Sequence, residues 1–389
     1  MEPRLVSVVL VTWNSARYLR RCLEGILQQT HDRVELIAID NASADDSVAL
    51  VAPHAATIIR NDTNRGFSAA VNQAIAVARG EFLLVVNPDC YLLPDYAARL
   101  VDAFASSPDI GSATGLLIRA RGTNIEPTDE IDSMGIRMTR NGRHLDIGQG
   151  ERVGVYGVPR SSSGSSEFLG SSEFLGSSEF LGSSVPRFLG SSEMSSDSLP
   201  PRNSEELRGT EELENPRHRG TEEPRHRLIE VFGVSGAAAM FRISFLHDVA
   251  IDGEVLDEDF FAYREDADLA WRGRLFGWRA VCDPEAVAYH VRRVTPEARR
   301  ELPADVNMHS VKNRFLLRVK NQGAYLALRN LPFELARDLV VLVAALTIER
   351  TSLPAFPWLW RNRRSVLAKR RAIQRRRKLS DRELARWFA

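Results

Sequence analysis

At 389 residues, 44% hydrophobic and 26% charged, the chain can bury a sizeable core in one large domain with appendages or in two domains, which excludes a disordered protein. The formal net charge of +0 hides an asymmetry: ten Lys/Arg and no acid lie between Arg361 and Lys378, while Glu205 to Glu223 is acid-rich, so overall charge is a poor guide to partners. Three cysteines, Cys22, Cys90 and Cys282, have no CxxC spacing; this odd set argues against a disulfide framework and for free thiols in a reducing compartment.

The N-terminus lacks a charged region leading into an apolar run and a cleavage site, so no signal peptide is expected and the cytosol is the expected location. Leu5 to Val11 reads as a first parallel strand ending in Thr12-Trp13-Asn14-Ser15. Asn or Ser there suits the cap of a helix whose apolar positions Leu19, Cys22, Leu23, Ile26 and Leu27 fall at helical spacing. Val34 to Ile39 is a second strand running into Asp40-Asn41-Ala42-Ser43. A carboxylate at the end of the second strand of a βαβ unit can accept donors from a nucleoside. Asx and Ser residues also cap loops in a purely structural role, and spacing leaves both readings open.

Thr57 to Ile59 gives a third strand, followed by NDTNRGF from Asn61 to Phe67 and a helix over Ala69 to Ala78. Gly66 lets backbone approach a ligand closely or completes a turn. No GxGxxG occurs, so a dinucleotide fold has no support. Phe82 to Val86 reads as a strand buried on both faces, and it breaks at Asn87-Pro88-Asp89 because proline cannot continue a central ladder. Asp89 therefore stands at a strand's carboxyl end, where open α/β sheets bind ligands; it is a candidate to hold a metal or a sugar, and equally a turn residue. A helix is predicted over Asp95 to Phe104 and a strand over Ile110 to Leu117, and the segment onward to Gly148 shows no catalytic pattern.

Taken in order, VVLVTWNS, IDNASADDS, NRGFSAAVNQAI and VVNPDC resemble the successive motifs of the family 2 inverting glycosyltransferases of the GT-A fold, and more closely their bacterial rhamnosyltransferase-like branch. The resemblance, which covers roughly residues 5–120 and 228–330, implies an α/β protein with a Rossmann-like mixed, mainly parallel sheet flanked by helices; a disordered insert and most of a helical C-terminal tail, expected from their own residues, lie outside it. It implies a nucleotide-sugar donor, with Asn14, Asp40 and Asn41 around the base and ribose and Asn64, Gly66 and Phe67 beside the diphosphate; Thr12 and Asn87 complete the donor-binding set. Asp89 matches the metal-binding member of the family's Asp-x-Asp motif. The first position of that motif is Asn87 here, and one carboxylate fewer makes for a weaker cation site.

From Gly164 the hexapeptide GSSEFL recurs, and Glu205 to Arg227 repeats variants of EELRGTEE and PRHR. Exact short tandem units of Ser, Gly and Glu bury too little surface to offset the entropy of ordering them, so a disordered insert is expected over 151–227. His218 and His226 read as repeat content rather than ligands.

Gly233 to Gly236, with small residues after it, reads as a close-packed strand or loop against which an acceptor could lie. The richest stretch follows, DEDFFAYREDADLAWRGR from Asp257 to Arg274. Glu265 and Asp266 fall at a helix N-terminus, where carboxylates are electrostatically favoured, and capping alone would explain them. The resemblance assigns the pair to catalysis, Asp266 as the base and Glu265 in support, with Phe260, Phe261 and Tyr263 expected to exclude water and raise the base's pKa. The next strand ends at His290, where the family places a metal-binding histidine or a diphosphate contact. With Asp89 it forms the expected site for Mg2+ or Mn2+, since zinc calls for more N/S ligands than are present. Arg292 and Arg293 follow and suit phosphate.

Leu339 to Ile348 is an apolar run bounded by Asp338 and Glu349, short of the ~20 residues that cross a bilayer, and so a core helix or a monotopic one. Trp358 and Trp360 leading into the basic run favour an anionic membrane surface; no nucleic-acid module is recognisable, and none is expected as partner. The expected division is a nucleotide-sugar-binding half at 1–150, the insert at 151–227, an acceptor and catalytic half at 228–310 and a basic, membrane-associated helical tail at 311–389. The resulting expectation is an inverting transferase moving L-rhamnose from dTDP-rhamnose to a lipid-linked saccharide at the inner face of the cell membrane. Transfer from a UDP- or GDP-sugar, and a non-catalytic module that binds nucleotide-sugar or membrane, are the alternatives.

Overall fold

The computed structural model describes residues 2–156, 228–292 and 304–388. The expected disorder of the repeats, His218, His226 and the predicted phosphate contact Arg293 lie outside the described residues.

In chain order the first half runs β1 (Glu2–Thr12), α1 (Ala16–Leu27), β2 (Val34–Asp40), α2 (Ser47–Val51), β3 (Thr57–Arg60), α3 (Phe67–Val77) and β4 (Gly80–Val86). β1 pairs in parallel with β2 and β4, and β2 with β3. Val8, Val9 and Leu10 are all fully buried, as a parallel strand covered on both faces requires. The side-chain period of two then sorts the core: Val9, Ile37, Ile39 and Val85 pack on one face, and Val8, Leu10, Leu36 and Val86 on the other. Helix α1 covers the second face through Leu19, Leu23 and Ile26, and α3 covers the first through Val71 and Ala74. Ser15 occupies the N-cap position of α1, but its hydroxyl bonds the Trp13 carbonyl, and the Ala16 N–H is satisfied by Asp45 across the next loop.

The chain continues through β5 (Cys90–Leu92), α4 (Tyr96–Ala105), β6 (Ile110–Arg121), β7 (Glu126–Ser133), the antiparallel pair β8 (Ile136–Met138) and β9 (His144–Asp146), β10 (Ile229–Val231), β11 (Ala238–Arg242), α5 (Ile243–Val249), α6 (Glu265–Leu275) and β12 (Arg279–His290). Among the described residues one ten-stranded sheet has the order β10-β12-β6-β11-β4-β1-β2-β3, with β5 added to β12 and β7 to β6. The two halves of the sequence therefore share one sheet, because β11 lies antiparallel between β4 and β6. A bulge between Asp283 and Val287 bends β12. Gly115 opposes it, where a Cβ would sit 1.9 Å from the Ala286 carbonyl oxygen.

The tail is helical: α7 (Ala304–Asn321), α8 (Ala324–Thr347), α9 (Ala355–Arg376) and α10 (Asp381–Leu384). Leu316 and Leu317 of α7, Val366 and Ile373 of α9, and Phe388 enter the same core cluster as α6. Phe388 packs 5.0 Å from the ring of Trp271 and 6.0 Å from that of Phe232. Part of the basic run is likewise structural: Lys369 bonds Glu254, Asp257 and Asp259, and Arg370 donates to the carbonyls of Val319 and Gln322. All three cysteines are buried and unpaired.

Candidate active site

Parallel register sets Thr12 opposite Asp40 and Leu10 opposite Val86, so the carboxyl ends of β1, β2 and β4 form one rim. Thr12 donates its hydroxyl to Asp40 at 3.0 Å, and the other Asp40 oxygen accepts from the Ser43 N–H. Asn41 is buried; its amide donates to the Gly66 carbonyl at 3.2 Å and its oxygen accepts from Asn61. Asn14 is exposed in the left-handed region at φ 49°, and its side-chain oxygen accepts from Ala44 N–H. Asn64 accepts from Gly66 N–H at 2.9 Å, and Phe67 opens α3. The predicted donor-binding residues Thr12, Asn14, Asp40, Asn41, Asn64, Gly66 and Phe67 thus sit in linked loops at one edge of the sheet.

The Asn87-Pro88-Asp89 turn follows β4, and β5 then pairs antiparallel with the end of β12, placing Cys90 opposite His290. That short ladder brings two residues distant in sequence together: His290 Nε2 lies 3.6 Å from Asp89 Oδ1. Cys90 Sγ falls in the same group, within 4.8 Å of ligand atoms from both, but burial and the Asp89 carboxylate push its thiol well up, and it donates to the Ala237 carbonyl. An oxygen and an imidazole nitrogen remain, a set that fits Mg2+ or Mn2+ completed by substrate phosphates. The second nitrogen of His290 is taken: Nδ1 lies 2.7 Å from Asp132 Oδ2, and Arg292 bridges Asp132 to Asp146. Burial pushes His290 down, but the carboxylates of Asp132 and Asp89 outweigh it and carry it up to about 10, so a cation taking Nε2 would have to displace the proton held there.

Asp266 lies in the first turn of α6. Its carboxylate accepts from Gly236 N–H at 3.2 Å and from Ala267 N–H at 2.7 Å. The next residue, Ala237, accepts from Asn87 N–H at 2.8 Å. Asp266 and the turn that carries Asp89 therefore flank a single two-residue stretch, and the charge of Asp146 acts on Asp266 from the Arg292 network. Burial raises Asp266 above the ordinary carboxylate range, while the two N–H donors restrain the shift. Glu265 is buried against a cavity of 20 Å³ lined by Phe67, Val71, Leu83 and Leu269; its Oε2 has no hydrogen-bond partner among the described residues, and burial with the Asp266 charge pushes it to about 8.

The loop leading to this pair is strained, with Phe261, Tyr263 and Arg264 at φ 65°, 69° and 71°. Asn313 of α7, fully buried, shares its side-chain N–H groups among the carbonyls of Phe260, Ala262 and Tyr263 at 2.8–2.9 Å. Phe261 in turn accepts from Ser68 N–H, and a Cβ at Gly66 would meet the Phe261 ring at 2.6 Å. Of the three aromatics expected to wall off the base, Phe260 is fully buried, Phe261 is half-buried and Tyr263 is 40% exposed.

The continuous rim from Thr12 to Asp89, joined to Asp266 across Gly236 and Ala237, sets the comparison with known proteins. Residues 7–155 match the family model for glycosyl transferase family 2. The putative glycosyltransferase EpsH of Bacillus subtilis (strain 168) is 32% identical over 114 residues, 28% of this chain and 33% of EpsH. Chondroitin synthase of Escherichia coli is 31% identical over 104 residues, 26% of this chain and 15% of the synthase. The chain thus spans a third or less of the length of these two relatives. A solved structure of GalNAc-T7 with UDP, GalNAc and Mn2+ superposes with a TM-score of 0.51 over 81% of this chain and 48% of that one, at 13% identity, which shows a shared GT-A fold. The family 2 match takes in the donor rim, Asp89, Asp132 and Asp146; Asp266 and His290 lie beyond it.

Gly236 lies in the stretch read as one an acceptor could lie against, but Asp132, Asp146 and Asn313 were not legible as site residues. Each acts through a partner more than ten residues away in sequence, and the one signal available was Asp132 standing just before Ser133-Met134-Gly135, next to last in its strand.

Proposed function

We propose that the chain is an inverting glycosyltransferase in polysaccharide synthesis, with Asp266 as its general base. The carrying observation is the meeting of Asp266 and the Asn87–Asp89 turn across Gly236 and Ala237. An acceptor hydroxyl attacks the anomeric carbon of a nucleotide-sugar opposite its diphosphate. The bond from that carbon to the diphosphate oxygen breaks with its electron pair, the hydroxyl proton passes to Asp266, and the anomeric configuration inverts in one displacement. Glu265 keeps its proton at neutral pH, so the adjacent carboxyls carry one charge rather than two. Thr12, Asn14, Asp40 and Asn41 take the base and ribose, Asn64, Gly66 and Phe67 the diphosphate side, and Asn87 the sugar side of the donor. Asp89 and His290 hold a divalent cation, which when bound neutralises charge on the departing diphosphate; the GalNAc-T7 structure, which contains Mn2+ and UDP, supports this reading.

Within this reading the donor is dTDP-L-rhamnose, on the strength of the sequence resemblance, and the acceptor is a lipid-linked saccharide. The protein then works at the inner face of the cell membrane, where Trp360 and the exposed arginines of α9 meet anionic lipid. Calorimetric titration of dTDP, UDP and GDP with Mg2+ or Mn2+ tests the donor: tighter binding of dTDP supports it, and preference for UDP or GDP replaces it. Donor turnover that disappears in Asp266→Asn supports the transferase, whereas equal low turnover in both proteins leaves a nucleotide-sugar-binding module.

A further inference from the structure

Helix α8 turns its polar residues toward the protein and its apolar ones away from it. Asn330 and Glu334 are buried; Glu334 accepts from Gln322 at 2.7 Å and pairs with Arg318 at 3.3 Å. Asp338 pairs with Arg314 and Arg318 at 3.0 and 2.6 Å. On the other side Leu328, Leu331, Leu335, Leu339, Leu342 and Leu346 follow at steps of three and four residues, which keeps them on one face. Their exposure runs from 41% at Leu342 to 75% at Leu328. Between Leu328 and Ile348 every exposed position is apolar except Thr347. This is the reverse of a water-facing helix, whose charged residues lie outside.

Twenty-four residues make a helix about 36 Å long, and among the described residues no helix is long and apolar enough to cross a membrane. An apolar face of this length that does not span belongs in the plane of an interface. Charge selects the occupant. No acid occurs between Glu349 and Asp381, and α9, next in the chain, exposes Arg361, Arg363, Arg364 and Arg371. Trp360 is 68% exposed with the Arg363 guanidinium 4.1 Å from its ring centroid. Two such basic segments brought together by self-association would repel, whereas anionic headgroups attract them.

We infer that the outward face of α8 is the surface by which the protein lies on an anionic bilayer, its leucines in the acyl boundary and the arginines of α9 among the headgroups. This rests on the membrane placement proposed above and assigns it to a helix. The full chain is tested by co-sedimentation with vesicles of phosphatidylcholine alone and of phosphatidylcholine mixed with phosphatidylglycerol. The triple variant Leu335→Glu, Leu339→Glu, Leu342→Glu loses binding to the mixed vesicles by about 100-fold or more with its melting temperature kept. The triple variant Arg361→Gln, Arg363→Gln, Arg364→Gln loses the preference for the mixed vesicles, by about 100-fold. If the leucine variant binds as the parent does while the arginine variant is impaired, the α8 assignment falls and the membrane placement stands. If the parent binds neither vesicle, both fall. A parent that sediments as a dimer in centrifugation, becomes a monomer in the leucine variant and ignores vesicles assigns the face to a second copy and overturns the inference.

Discussion

Asp132 meets no proposed substrate atom, yet it decides which nitrogen His290 offers. With Nδ1 held by Asp132 at 2.7 Å, only Nε2 faces Asp89, and Arg292 fixes the Asp132 carboxylate from behind. Asp132→Asn keeps the shape and removes the charge, and outer-shell changes of this kind cost about 10–100-fold in metal affinity. We expect Mn2+ binding, followed by the electron paramagnetic resonance of the free ion, to weaken by that factor while nucleotide binding without metal is unchanged. An unaltered Mn2+ affinity would remove Asp132 from the site. For Asp266 the proposed base must be ionised, and its burial sets its pKa above the ordinary carboxylate range. The rate therefore falls on the acid side at a higher pH than an exposed aspartate would give, and Asp266→Asn lowers turnover by about 10²–10⁴-fold. At this scale Asp89, His290 and Asp266 were legible because each ends or begins an element within a recognisable motif. Asp132 was not, since an aspartate near a strand end gains its role only from the partner the sheet brings to it.

Among the elements, the loop over Asp257 to Arg264 joins the donor rim, the base and the tail. Asn313 holds its strained backbone through three carbonyls, and Lys320 and Lys369 hold its start through Asp257. Asn313→Ala removes the side-chain donor that three carbonyls of the loop share, at about 1–3 kcal/mol. Denaturant unfolding reads that loss, and a fall in turnover larger than the change in donor binding reads the displacement of Asp266. Burial alone would raise Asp257, but the two lysines hold its carboxyl well below the usual range. A depressed carboxylate stabilises the fold above its unfolded pKa of about 3.9, and that contribution is lost as pH falls toward the folded value. Stability measured in urea is thus expected to be level above about pH 5 and to drop toward pH 3. In Lys320→Met the drop is smaller and ends at a higher pH, because Asp257 has lost one of its two cations while the unfolded pKa that sets where the drop begins is unchanged. The apolar spacing of α6 made that helix visible in the sequence. The loop's conformation was not visible, because three non-glycine departures to positive φ within four residues, at Phe261, Tyr263 and Arg264, have no propensity signal and persist only under tertiary restraint.

For the whole molecule the decisive feature is that the tail faces two ways. Hydrophobic runs announced β1, β2 and β4 and hence the sheet, but the inward residues of α9, Val366 and Ile373, stand among so many arginines that the segment reads as an appendage. In the fold they share a core with Trp271 of α6, and the chain returns as far as Phe388, 2% exposed between Trp271 and Phe232. A detachable anchor would leave the catalytic unit intact when removed; a tail that closes the core would not. Phe388→Ala is therefore expected to cost about 3–5 kcal/mol, as for other buried phenylalanines, and removal of residues 377–389 at least as much, since Leu384 and the Arg377–Asp381 pair go with it. Urea denaturation followed by tryptophan fluorescence measures both, with Trp271 beside the deleted ring reporting the site directly. Truncation with no loss of stability would show that α7 alone supports α6, and the strained loop above would then need only Asn313 and Lys320 to hold its place.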